Sequence, residues 1–241
     1  MVQIVLPDLV ESFSLNKYFY RLAKTRLDIF KVPTQIIAVA GNLPYSYWDG
    51  THCNMIGNGI IKDLPMFFQQ VNFPIRLICN NMFLQEYDFV DTYNQVILNH
   101  IQFDAANQIV VNDPKLKEYI KAHFLFQGLF LTENEEDILP FYTITQQQKE
   151  QQHKYQYNFQ RKSAIFQNKI SPQNIHMLTE DKVFEIPSLA NILSYADRIK
   201  LYVDYFIKPE YQFEIFAEIV KLFGKEIGND IFYYPRAIRT L

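Results

Sequence analysis

Short runs rich in Val, Ile and Phe recur along this chain, each followed by a segment whose apolar residues return at helical spacing. Parallel strands need crossovers of a dozen or more residues, so this alternation points to βα units and a parallel sheet. VQIVLP at residues 2–7 precedes SLNKYFYRLAKTRLDIF, where Leu15, Tyr18, Leu22 and Ile29 share a helical face and Ser14 is a candidate N-cap. TQIIAVAGN, residues 34–42, reads as a buried strand ending at a glycine. IKDLPMFFQQV suits a short helix, and FPIRLICNN is a strand closing on Asn80 and Asn81. In EYDFVDTYNQVILNHI the residues Phe89, Val90, Tyr93, Val96, Ile97 and Ile101 form a helical stripe. QIVVND then leads into PKLKEYIKAHF, with Asp113 as N-cap and Pro114 at the first helical position. FQGLFLTEN is a further strand, and ENEED puts negative charge where the next helix begins.

Residues 143–169 are rich in Gln, Lys and Tyr and poor in aliphatics, which suits a solvated helix or an excursion and not a second domain. Afterwards the alternation resumes with NIHML, KVFEI, a short helix SLANILSYA and a strand RIKLYVDY. A last helix begins at Pro209, turns Phe216, Ile219, Val220 and Phe223 to the core, and stops at Gly224. With seven or eight strand candidates and no internal repeat, the 241 residues are expected to form one α/β domain. Its expected form is a TIM-like (β/α) barrel that need not be complete or regular.

The 23 basic and 26 acidic residues are dispersed, so nothing resembles a footprint for a phosphate backbone, and nucleic acid is not an expected partner. Apolar runs are short, and MVQIVLPDLVESF lacks the charged-then-apolar order of an export signal. A soluble cytoplasmic protein without membrane association is the expectation. Cys53 and Cys79 belong to no CxxC pair and are expected to be reduced, buried thiols.

NFPIRLICNNMFLQEYDFVDTYNQVILNHI, NQIVVNDPKLKEYIKAHF and DRIKLYVDYFIKPEY, in that order, resemble segments of collagenase-like peptidases, whose mechanism is unassigned, and of their bacterial relatives. The resemblance covers about two thirds of the chain as scattered positions. It implies a TIM-like barrel and places CNMIGNGI where those relatives carry a Trp-Asn-Gly-Gly-Arg type motif. Only Asn58 and Gly59 remain of that motif, because Ile60 and Ile61 stand where an arginine would follow. Some members imply an iron–sulfur cluster, but an ordinary cluster needs four thiolates and this chain has two cysteines. The resemblance thus implies a divergent peptidase-like barrel that binds a ligand or partner without cluster chemistry.

The stretch GNLPYSYWDGTHCNMIGNG, residues 41–59, holds four of the seven glycines, the sole tryptophan and Cys53. Following a strand, it belongs to the side of a parallel sheet where sites assemble. Asp49 and His52 are the close carboxylate and imidazole pair, suited to general-base work, although Asp-Gly turn chemistry explains Asp49 equally well. Asn42, Trp48, Asn54, Asn58, Asn80, Asn81, Glu133 and Asp204 complete a rim of ligand-binding candidates, while Asn112 and Asp113 read as helix-capping residues. Such a rim suits a peptide, a carbohydrate or a protein partner. It also leaves room for a divalent cation held through oxygen, although no cofactor is expected. Trp48 either stacks on a ligand or covers the barrel mouth. The histidines lack ligand spacing, and nucleophile-elbow, HExxH and phosphate-loop patterns are missing. Three functions fit: a binding protein, a His-dependent or metal-assisted peptidase-like hydrolase, and a structural or assembly protein of a phage or mobile element.

Overall fold

A computed structural model describes residues 1–41, 48, 70–79, 81, 84–90, 92–132, 183–186 and 194–237. Their elements run β1 (Val2–Leu6), α1 (Phe13–Thr25), β2 (Thr34–Gly41), β3 (Ile75–Cys79), α2 (Thr92–Ile101), β4 (Gln108–Val111), α3 (Pro114–His123), β5 (Leu129–Leu131), β6 (Val183–Glu185), α4 (Tyr195–Phe206) and α5 (Pro209–Ala237). The strands form one sheet in the order β5-β4-β3-β2-β1-β6. Its class is α/β.

β2 with β3, β3 with β4, β4 with β5 and β1 with β6 are parallel pairs. For β1 and β2 the hydrogen bonds Val2 N to Pro33 O, 2.8 Å, and Leu9 N to Ala40 O, 3.1 Å, advance together along both segments. That pair is therefore parallel too. The strand ending at Gly41, the strand Ile75–Cys79 and the strand Gln108–Val111 are parallel neighbours, in keeping with the βα alternation in the sequence, and each crossover is too long for a hairpin.

All four residues of β4 are buried, as are four of the five in β3, so both sheet faces are covered there. Register aligns Ala40, Arg76 and Gln108 across β2, β3 and β4. The Arg76 Nε donates to Gln108 Oε1 at 2.6 Å, with both residues buried. Asn107 is a second polar joint: its Oδ1 accepts from Ile75 N at 2.8 Å and its Nδ2 donates to Ile101 O at 2.9 Å. Its carbonyl lies 2.0 Å from where a Cβ on Gly128 would stand, which accounts for glycine there.

The chain separates into two compact units. One comprises Met1–Val5, Tyr18–Ile36 and Ile138–Leu241, the other Leu6–Lys17 and Ile37–Asp137. In the first, α4 packs on α5, and Phe19, Tyr202 and Phe206 meet edge to face at 5.2 and 5.9 Å between ring centroids. In the second, Ile97, Leu98 and Ile101 of α2 and Leu116 and Ile120 of α3 are buried, together with Leu77, Ile109 and Val111 of the sheet.

Five local expectations need correction. RIKLYVDY lies inside the helix α4, not in a strand: Ser194 caps it by accepting from Asp197 N at 3.2 Å, and Tyr195, Ile199, Tyr202, Val203 and Phe206 form its buried face. α1 starts at Phe13, which puts Ser14 inside the first turn and not at the cap. α5 passes through Gly224, beside which a Cβ would meet nothing, and continues to Ala237. Its buried stripe is Ile215 and Ile219, whereas Phe216 and Val220 are exposed. Val90 is likewise exposed, since the helical stripe divides into a 3-10 turn, Glu86–Val90, and α2. The elements expected within 143–169 and at NIHML lie outside the described residues, as does Cys53, whereas Cys79 is a buried thiol in no disulfide. No described helix is long and apolar enough to cross a membrane.

Candidate functional site at the carboxyl edge of β3 and β4

In a parallel sheet the loops leaving the strands' carboxyl ends supply the ligand side. In the second unit one such region is built from the turn Glu86–Val90 after β3 and from α3, which follows β4 after two intervening residues. α3 starts there because Asp113 takes Lys115 N at 2.7 Å and Leu116 N at 3.2 Å, while Pro114 supplies a preset helical φ. Asp113 thus caps, as its position in the sequence implies.

Between the turn and the helix lies an open groove of about 670 Å³, lined by Glu86, Phe89, Pro114, Lys115, Glu118 and Tyr119. Phe89 and Tyr119 pack with centroids 5.5 Å apart. The Tyr119 ring is also stacked on His123 at 4.2 Å, and its hydroxyl meets Gln95 Nε2 at 3.4 Å. These contacts fix the ring. Around it stand two carboxylates and an ammonium, all on exposed residues, with Glu118 Oε1 3.1 Å from Lys121 Nζ. An apolar floor with charged groups at its rim suits a ligand that has one apolar face and several hydrogen-bonding groups.

Trp48 braces this region. It is fully buried; its Nε1 donates to Asp88 O at 3.0 Å and its carbonyl accepts from Asn81 N at 3.0 Å. Asp88 in turn closes its own turn, accepting from Gln85 N through Oδ2 at 2.8 Å. Trp48 therefore offers no open ring face for stacking. It ties together the loops that follow β2 and β3.

At the carboxyl end of β1, Asp8 is buried with φ of 60°, a left-handed conformation that Asp tolerates better than most residues. Its carbonyl accepts from Ser12 N at 2.8 Å and from Asn16 Nδ2 at 3.3 Å, and Asn16 also donates to Pro7 O at 2.7 Å. Gly41 is required opposite it, because a Cβ there would stand 2.7 Å from Leu9 Cβ and 2.8 Å from Leu9 N.

Of the residues singled out from sequence, Asn42, Asp49, His52, Asn54, Asn58, Asn80 and Glu133 lie outside the described residues. Asn81 is joined to Trp48 through its backbone. Asp204 does not follow a strand: it sits in the last turn of α4, where its carbonyl accepts from Lys31 Nζ at 2.5 Å. Burial lowers the Lys31 ammonium from its usual value, and the neighbouring Asp204 partly opposes that shift. The groove residues Glu86, Phe89, Lys115, Glu118 and Tyr119 are not singled out by the sequence, where Phe89 belongs to a helical stripe and α3 is marked only by its cap. The available signal was the Asn-Asp-Pro ending of β4, which marks where the strand stops and α3 begins. Among the described residues no group of three or more His, Cys, Asp or Glu could hold a metal ion. Comparison with protein-family models, with curated proteins and with solved structures found no match.

Proposed function

We propose that this protein is a divergent TIM-like barrel that binds a peptide or carbohydrate at the carboxyl edge of its sheet, in the groove between the turn 86–90 and α3. Five strands taken in one direction, with right-handed crossovers, leave all their connections on the same face. The opposite face then needs cover, and closure into a barrel supplies it. β6 beside β1 is where a closing strand belongs, which supports the barrel form.

The observation that carries the binding reading is the fixed aromatic pair Phe89 and Tyr119, with Glu86, Glu118 and Lys115 around it. A sugar face or an apolar side chain packs on the exposed part of the Tyr119 ring while carboxylates accept its hydroxyl or amide hydrogens. Trp48 is the sole tryptophan and is bonded to the groove's own turn, so its emission reports on occupancy. Titration with defined oligosaccharides and with short peptides should give saturable changes for one class. Tyr119→Ala should weaken that binding about tenfold or more, and Glu118→Gln less, since most truncations at a site matter little and a few matter greatly. Unchanged affinity in Tyr119→Ala would remove the groove from the function.

A further inference from the structure

We propose that a second copy of this chain docks on α5, antiparallel across a two-fold axis near Ala217. The inference does not depend on the groove. Phe213 is 85% exposed and Phe216 and Val220 are exposed as well, and at 3.6 residues per turn these three lie within about 60° of one another. The centre of this stripe lies about 110° round the helix from the centre of the buried pair Ile215 and Ile219, so the exposed stripe is additional to the face that α5 packs inward. Contiguous apolar surface of this kind marks an interaction site.

Charge selects the occupant. Along one flank of the stripe, α5 is acidic in its first half, at Glu210 and Glu214, and basic further on, at Lys221. In an antiparallel helix pair related by a two-fold axis each flank meets the same flank of its partner, and contacts occur twice, i with j and j with i. An axis near Ala217 sets Glu214 of each copy opposite Lys221 of the other while Phe213, Phe216 and Val220 interleave. Glu214 also lies 4.0 Å from Arg26 of its own chain, but with its side chain 60% exposed it stays accessible to a partner. Exposed Ala217 at the axis lets the two helices approach closely.

The test is sedimentation of the full chain over roughly 1 to 500 µM, since a contact made by one helical face belongs at the weak end of interfaces. A monomer–dimer equilibrium is expected, weakened about tenfold or more by Phe213→Ser as an apolar anchor. Glu214→Lys and Lys221→Glu should each weaken it roughly three- to tenfold, because each substitution spoils two symmetry-related pairs, and the double variant should recover it. A monomer throughout the range overturns the proposal, as does a dimer indifferent to Phe213→Ser. Failure of the double variant to recover overturns the antiparallel register. Circular dichroism of each variant separates loss of association from loss of fold. Protection of Phe213 in the monomer, read by solvent labelling, would mean that the chain covers the stripe itself and would also overturn it.

Discussion

At the scale of single residues, backbone geometry leaves little choice at Gly41 and Asp8. A methyl group at Gly41 would collide with the Leu9 backbone and side chain. Gly41→Ala is therefore expected to destabilise the protein by about 1 to 3 kcal/mol, as overpacking does, measured by thermal denaturation. For Asp8, with φ of 60°, Asp8→Val should be markedly worse than Asp8→Gly, because a β-branched residue resists the left-handed region that glycine enters freely. Ionisation gives a further test. Burial, then Glu218 beside it, holds the Tyr18 phenol above the usual tyrosine value, and burial does the same for Tyr205. The unfolded chain then loses these protons first, so stability should fall as pH rises past about 10. Lys31 acts oppositely: its lowered value adds stability as pH rises just below about 10.4. Urea midpoints between about pH 9 and 11 should decline less steeply in Tyr18→Phe than in the parent, and an unchanged slope would remove Tyr18 from the account.

At the scale of elements, the two capped helices show why some of the fold was legible and some was not. Asp113-Pro114 announces α3 unambiguously, since one residue accepts the first amide hydrogens and the next has no amide hydrogen to satisfy. Within α4, RIKLYVDY satisfies two periods at once. Ile199, Leu201, Val203 and Tyr205 alternate as in a strand, yet Tyr195, Ile199, Tyr202, Val203 and Phe206 also repeat at helical spacing. The Ser194 cap, with Asp197 three residues on, decides between them, and it falls before the run whose alternation suits a strand. Ser194→Ala and Asp113→Ala should each destabilise by about 1 kcal/mol in chemical denaturation, whereas Asp113→Asn should be nearly neutral, because Asn caps as well as Asp. The strands were more legible, because parallel pairing buries them on both faces and leaves continuous Val and Ile runs. The groove was not. Phe89 and Tyr119 lie 30 positions apart in sequence, and only the return of β4 beside β3 brings them within 5.5 Å.

At the scale of the whole molecule, the proposed barrel closure would leave its signature at β5. Leu129 N bonds back to Asn107 O, so by the alternation of a strand the amide of Phe130 points away from β4. If the sheet closes, a further strand accepts from it. Phe130 should then exchange its amide hydrogen as slowly as Leu129, whereas a Phe130 that exchanges far faster would mean an open edge. Closure would also place every strand's carboxyl end on one rim, and the binding proposal rests on that rim. Its most direct test is amide hydrogen exchange with and without the oligosaccharide or peptide that saturates the Trp48 emission change. The account predicts new protection concentrated in residues 84–90 and 113–119; protection confined to other segments, with these unchanged, would contradict it.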